Sequence, residues 1–441
     1  MLPKVLTVAG SDSSGGAGIQ ADLKTILSLG CYGASVVTAV TAQNTLGVQQ
    51  IHLMDPKLVA AQLDSVLSDI GAEAVKTGML GNAEIVDTVV EALRRWEIRN
   101  IVVDPVMYSK KGTVLLDHQG IVALKKQLLP ITYLLMPNVP EAEVLCETKI
   151  KSVEDMKKAA KRLHKMGPRF VLVKGGHLNE APVDILYDGT QHYEFSTQRV
   201  ATVHTHGTGC TLAAAVATLL AKGLPLVSAI DQAKRYLYKA LRFSLDIGKG
   251  VGPINHFASI TSEMARTEVI EELDKALERL KRLNIGALIP EVQSNLAYAI
   301  PFAESVQDVA SFPGRIIRMV NTIATLSGPR FGASRQIHYL VLAAMEYDPA
   351  RRACMTIMYS DNLVRRIKSL GYLVAEFDRN RTPPDLQQEE GSTLAWGVQD
   401  VMEELGRVPD AIFDKGAVGK VPLIRLFATD PSSIVNLVAK L

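Results

Sequence analysis

The chain has 441 residues, and its 48 basic and 46 acidic side chains leave a formal net charge of +2. That balance excludes a nucleic-acid binder or a membrane-surface binder that works by bulk charge, so neither partner is expected. With 47% hydrophobic and 21% charged residues, the chain can bury proper cores in two domains of ordinary size. The four cysteines, Cys31, Cys146, Cys210 and Cys354, show no CxxC spacing, which argues against a zinc site and a disulfide framework. No run reaches 18 apolar residues, and MLPKVLTVAGSD lacks the regions of a signal peptide. A cytoplasmic protein is expected.

Short apolar runs alternate with helical patterns over the first half. VLTVAG (5–10), ASVVTAV (34–40), AEAVKTGM (72–79), NIVVDPVM (100–107), TYLLMPN (132–138) and FVLVKGG (170–176) read as strands that end in polar or glycine loops. ADLKTILSLG (21–30), closed by a glycine, PKLVAAQLDSVLSDI (56–70) and SVEDMKKAAKRLHKMG (152–167) read as helices. This alternation predicts an α/β fold with a mostly parallel sheet flanked by helices. Ligands of such sheets bind beyond the carboxyl ends of the strands. Residues 262–283 form a charged amphipathic helix, acidic first and basic last, that opens a second α/β domain. The run 388–397 and the Pro-Pro pair at 383–384 read as loops.

Chemistry-bearing residues gather at the predicted strand ends. AGSDSSGGAGIQAD (9–22) packs four glycines, Asp12 and Asp22 between a strand and a helix, so backbone amides can approach a ligand. It is not a Walker A loop, because no GK[ST] follows. HGTGCTLAAAVATLLAKG (206–223) sends Gly207, Thr208, Gly209 and Cys210 into an alanine-rich helix. Amides at such a helix start form a pocket for a transferring phosphoryl group. The helix dipole is expected to lower the Cys210 thiol pKa, which would suit it as a base. The same stretch would also suit a plain capping turn with Cys210 as a small core residue. Asp104, Asn138 with Glu141, and Lys174 follow three strands; each alone would suit a cap or a turn, but their shared place at strand ends suits oxygen ligands for Mg²⁺ and a cation for phosphates.

AGSDSSGGAGIQADLKT, TAVTAQNT, VKTGML, DPVM…KKG, MPNVPEAE, LVKGGH and HGTGCT occur in this order. As a set they resemble the hydroxymethylpyrimidine and phosphomethylpyrimidine kinases of thiamine biosynthesis, in the ribokinase superfamily. The resemblance implies a ribokinase-like kinase domain over residues 1–258 that uses ATP and Mg²⁺ to phosphorylate an aminopyrimidine alcohol and then its monophosphate. It implies that Gln43 reads the aminopyrimidine, with Gly10 and Asp22 near the substrate and Met79 and Val106 as apolar walls. It places Cys210 as the base, Gly207, Thr208 and Gly209 as the anion hole, Lys174 at the nucleotide phosphates, and Asp104, Asn138 and Glu141 around Mg²⁺. A homo-oligomer is expected. Pyridoxal kinase is the nearest alternative, and Gln43 argues against it.

FPGRI, GAS, EGST and DKG in the second half resemble the ThiN-type thiamine-phosphate synthases, which implies a synthase domain over residues 262–441 acting on the pyrimidine diphosphate and a thiazole phosphate. Arg315, Arg335, Arg352, Arg379 and Lys420 are candidate anion binders, and the resemblance puts Arg315 at the active site. Two positions depart from the family pattern. Gln336 stands where histidine is expected, with His338 two residues on, and Val421 replaces an acid. On a helix, two residues turn a side chain by about 200°, whereas a strand would return it to the same face. A synthase and a module that binds thiamine phosphates without making them both remain open.

Overall fold

The protein is described here by a computed structural model covering residues 2–176, 182–381, 392–417 and 420–441. The chain forms two compact units that divide between Ser259 and Ile260. In the first, strands β1 (Lys4–Asp12), β2 (Tyr32–Asn44), β3 (Gly47–Leu53), β4 (Ala74–Thr77), β5 (Ile101–Val103), β6 (Leu134–Leu135), β7 (Phe170–Val173), β8 (Val183–Tyr187) and β9 (His192–Ser196) form one sheet. Its order is β3-β2-β1-β4-β5-β6-β7-β8-β9. From β2 to β7 the neighbours run parallel, and β3, β8 and β9 pair antiparallel at the two edges. Helices α1 (Gly18–Ser28), α2 (Pro56–Asp69), α3 (Ala83–Arg95), α4 (His118–Ala123), α5 (Val139–Cys146), α6 (Val153–His164), α7 (Thr208–Ala221) and α8 (Leu226–Arg242) cover it.

The strand sequences explain the layering. Successive side chains point to opposite faces of a strand. Leu6, Val75, Val103, Leu135 and Val171 therefore enter one core, with residues of α2, α3, α5 and α6. Val5, Ala74, Val102, Leu134 and Leu172 enter the other, with residues of α7 and α8. Both faces are apolar because both carry helices, as in other parallel sheets. Helix starts follow the local chemistry: Asp55, Asn82 and Ser152 cap α2, α3 and α6. Gly30, at φ 76°, ends α1 as its sequence predicts.

Helix α9 (Ala258–Arg282) carries the predicted amphipathic pattern into the second unit. There β10 (Leu296–Ala299), β11 (Val309–Ser311), β12 (Ile316–Met319), β13 (Thr322–Thr325), β14 (Arg330–Phe331), β15 (Ala353–Met358), β16 (Val374–Glu376), β17 (Ala411–Asp414) and β18 (Leu423–Ala428) are joined by α10 (Arg335–Tyr347), α11 (Asp361–Ser369), α12 (Ser392–Leu405) and α13 (Pro431–Val438). The main sheet runs β14-β11-β10-β15-β18-β17-β16 and is antiparallel except for β16–β17. β12 and β13 form a separate hairpin. The run expected to loop over 388–397 instead contributes its last residues to α12, where Ser392 begins a good helical sequence. Pro383, Pro384 and residues 388–391 lie outside the described residues.

Candidate active site

Because β2, β1, β4, β5, β6 and β7 are parallel, their carboxyl ends share one edge. That edge carries Gln43, Asp12, Met79, Asp104, Asn138 and Lys174. Lys174 Nζ lies 2.7 Å from Asp104 Oδ1, with Asp104 buried. Gly207 enters α7 at φ 85°, a conformation that favours glycine. A Cβ at Gly207 would also meet the Gly16 carbonyl at 1.8 Å, so the two glycine loops are in direct contact. A Cβ at Gly209 would lie 3.5 Å from Lys174 Nζ and 3.6 Å from Asp104 Oδ2. The free amides of Thr208, Gly209 and Cys210 thus open beside an ion pair delivered by two other strands.

The substrate-side residues are placed unevenly. Gly10 sits at a register shift of β1, and a Cβ there would touch Met79 Sδ at 3.0 Å. Met79 is buried and Val106 partly so, as apolar walls require. Gln43 is partly buried, and its backbone N–H and C=O are both held by Ser13 Oγ at 2.8 Å. Asp22 is different. It is fully enclosed, accepts from Thr7 Oγ1 at 2.6 Å and pairs with Lys76 at 2.8 Å. It therefore lies beneath the site rather than on its surface. Burial opposes the Lys76 charge, yet Asp22, Cys210 and Asp104 hold its pKa above the ordinary value, so it stays an ammonium. Its expected neighbour in sequence, Thr77, leaves a buried hydroxyl without a partner among the described residues.

Two expectations need correction. The Cys210 thiol is not lowered: burial pushes it up to about 11, against the opposing pull of Lys76 and a Gly18 backbone N–H. Asp22 and Asp104, standing nearby, push it in the same direction as burial. The three metal candidates do not form a direct ligand set, and no cluster of acidic, histidine or cysteine residues among the described residues could hold an ion alone. Asn138 caps α5, its Oδ1 accepting from Glu141 N at 2.8 Å, while Glu141 Oε2 accepts from Asn138 N at 2.9 Å. One lone pair of the Asn138 oxygen is used in this capping box. Burial raises the Glu141 pKa well above the carboxylate range, while Lys174 opposes this. Asp104 Oδ2 and Glu141 fit Mg²⁺ through water and phosphate oxygens, the ion's preferred partners.

Sequence reasoning missed three groups. Lys76 is hidden inside an apolar run. His206, directly before GTGC, places Nε2 2.8 Å from Asp12 Oδ2 and 3.3 Å from the Gln43 amide. Lys110, in the 108–112 loop, donates to the Thr205 carbonyl at 2.5 Å. The KKG in that loop was the available signal.

In the second unit, the strand directions bring the ends of β11, β15, β16 and β17 and the starts of β10 and β18 to one sheet end. Arg315, the DKG turn at Asp414–Gly416 and Lys420 all emerge there. Arg315 has a left-handed backbone, φ 70°, which is rare for a non-glycine and marks a constrained position. Its guanidinium donates to the Val292 carbonyl and reaches Gln336 Oε1 at 3.5 Å. Arg335 and Lys420 are exposed. Arg379 is not free: it grips Asp414 at 2.6 and 3.1 Å, and the buried Arg425 takes the same carboxylate at 2.7 Å. Arg352 lies at the opposite sheet end, stacked 4.6 Å from the Tyr298 ring centroid. Gln336 and His338 are both on α10, so His338 turns inward. It is fully buried, bonded to Ser311 Oγ at 2.8 Å and to the Val306 carbonyl at 3.0 Å.

Comparison with known proteins follows this division. The family model described as Phosphomethylpyrimidine kinase matches residues 12–255. The one described as Thiamine-phosphate synthase ThiN matches residues 272–440. The Thiamine biosynthesis bifunctional protein ThiED of Geobacter sulfurreducens is 53% identical over 253 residues, covering 57% of this chain and 52% of that protein. The chain thus spans about half the length of that relative. The Hydroxymethylpyrimidine/phosphomethylpyrimidine kinase of Bacillus subtilis is 46% identical over 257 residues, 58% of this chain and 95% of the kinase. Among solved structures, the ADP complex of Bacillus subtilis pyridoxal kinase superposes with a TM-score of 0.55 at 38% identity, covering 58% of this chain and 98% of that one. With more than half of its length matched by one family model, the chain belongs to the phosphomethylpyrimidine kinase family.

Proposed function

We propose that the first unit transfers the γ-phosphoryl group of ATP to the hydroxymethyl group of an aminopyrimidine and then to the resulting monophosphate, as a step of thiamine biosynthesis. The observation that carries this reading is the seat of Gly209 against the Lys174–Asp104 pair. Phosphoryl transfer needs positioning and charge stabilisation more than covalent help. The amides of Thr208, Gly209 and Cys210 would receive the transferring oxygens, and Lys174 would face the nucleotide phosphates. Asp104 and Glu141 would hold Mg²⁺ through water, and the ion would supply neutralisation of phosphate charge. The thiolate form of Cys210 would accept the hydroxyl proton as the bond from that oxygen to phosphorus forms and makes the hydroxyl acidic.

The second unit is proposed to join the pyrimidine diphosphate to a thiazole phosphate with loss of pyrophosphate. The strained Arg315 at the loop-bearing sheet end supports it. A second reading, binding of thiamine phosphates without synthesis, is favoured by Gln336, since the inward His338 cannot replace the missing imidazole. The test supplies full-length protein with ATP, Mg²⁺, hydroxymethylpyrimidine and thiazole phosphate and follows products by mass. Thiamine phosphate above an Arg315→Ala control is expected. Pyrimidine diphosphate alone would favour the binding reading, and no phosphorylated pyrimidine would refute the kinase.

A further inference from the structure

The neighbourhood of Gln43 contains a hydrogen-bond conflict whose resolution identifies a further residue of the substrate site. Asp12 accepts from Ser14 N and Ser14 Oγ at 2.9 and 2.7 Å, from Ala17 N at 2.8 Å, and contacts His206 Nε2 at 2.8 Å. Although burial opposes ionisation, His206 and Ser14 hold its pKa down to about 2, so it is a carboxylate that can only accept. The His206 Nε2 atom must then carry the proton. An N–H cannot also accept from the Gln43 amide nitrogen placed 3.3 Å away. A second conflict points the same way. The Thr41 hydroxyl proton goes mainly to the Ser11 carbonyl at 2.8 Å, which turns the hydroxyl's lone pairs towards Gln43 Oε1 at 3.2 Å. Turning the carboxamide by 180° removes both conflicts. Oxygen and nitrogen at this position are assigned by their partners, not by shape. Gln43 oxygen then takes the longer share, at 3.3 Å, of the His206 Nε2–H that Asp12 Oδ2 also accepts, and its nitrogen donates to Thr41 Oγ1.

We propose that His206 is a specificity-determining positioning residue, which fixes the sense of the Gln43 carboxamide and so the orientation in which an aminopyrimidine is accepted. This rests on the kinase reading above. With its two ends held by His206 and Thr41, the amide keeps one lone pair and one N–H. That pair matches an exocyclic amino group beside a ring nitrogen. A carboxamide free to turn would accept the opposite order as well. His206 also immediately precedes Gly207, so the group that sets the ring's orientation is joined to the loop that would receive the phosphoryl group. Gly16 supports this placement: any Cβ there would strike the imidazole at 2.4 Å.

The test is steady-state kinetics of the full chain with hydroxymethylpyrimidine and, separately, pyridoxal, which has no exocyclic amino group. His206→Phe keeps a ring but no donor. It is expected to lower kcat/KM for the pyrimidine by about tenfold to a hundredfold, chiefly through KM, as for loss of a hydrogen bond to a polar substrate anchor. KM for ATP should not move, and the preference over pyridoxal should shrink by the same factor. His206→Gln, which restores an N–H donor, should recover most of the loss. An unchanged pyrimidine KM in His206→Phe overturns the inference while leaving the kinase intact. Equal losses for ATP and for both acceptors also overturn it, because they report only a disturbed glycine loop. A wild-type chain that phosphorylates no pyrimidine removes the kinase reading and this inference together.

Discussion

At the scale of single residues, the first unit sets a proton problem and its own answer. Cys210 is held as a thiol, up to about 11, by burial and by two neighbouring carboxylates. A base that starts protonated is useful only in the minor fraction that is ionised. If Cys210 takes the hydroxyl proton, kcat/KM should therefore climb through pH 7 to 10, where the thiolate fraction grows about tenfold per pH unit. Cys210→Ala should lower turnover by about a hundredfold to ten-thousandfold and flatten that rise, with an unchanged circular dichroism spectrum. A variant that keeps the alkaline rise would acquit Cys210. The positions of Asp104, Lys174 and the GTGC loop could be read in sequence because each follows an apolar run that folds as a strand or opens a helix. Lys76 could not, since a lysine inside AVKT gives no sign that its partner lies 54 residues earlier. His206 was equally silent: its position before GTGC is visible, but Asp12 stands 194 residues away.

At the scale of elements, periodicity located the parallel strands and missed the edges. β3 and β9 mix exposed with partly buried residues and contain no fully buried ones, and neither presents the apolar run that marked the interior strands. The opposite ambiguity held at α10, where GASRQIH fits a strand or a helix until its neighbours choose. The helix puts His338 into the core, and a pH dependence follows. Burial lowers its imidazole pKa to about 4, whereas an unfolded imidazole titrates near 6.5. Between those values the unfolded chain binds the extra proton, so stability is fully present above pH 6.5 and falls as pH drops towards 4. The shift corresponds to about 3 kcal/mol. Protection of α10 amides, measured by hydrogen exchange and corrected for intrinsic rates, should decline over that window. His338→Gln, which can keep the Ser311 and Val306 partners without titrating, should remove most of the decline. An identical decline in the variant would place the acid sensitivity elsewhere, His256 being the comparable group of the first unit.

At the scale of the whole chain, two sheets of different construction each gather polar residues at one end, and the chemistry proposed for the first would supply the substrate proposed for the second. The decisive position is Gln336. It lies in the first turn of α10, with Oε1 3.5 Å from the Arg315 guanidinium, so a histidine there would stand beside that arginine. A carboxamide there can donate a hydrogen bond but cannot exchange a proton near neutral pH, whereas histidine can. General acid–base help of this kind is worth about a hundredfold or more. Gln336→His in the full chain should therefore raise thiamine phosphate formation by about tenfold to a hundredfold if the unit is a synthase slowed by this substitution. The kinase rate, read in the same reaction as pyrimidine diphosphate plus thiamine phosphate, should not change. Adding Arg315→Ala should abolish the gain, because the introduced imidazole would have no anchored substrate to act on. A gain that survives without Arg315 would mean that the histidine acts outside this site. No gain at all, with thiamine phosphate found to bind tightly, would leave the second unit as a reader of thiamine phosphates attached to the kinase proposed for the first unit.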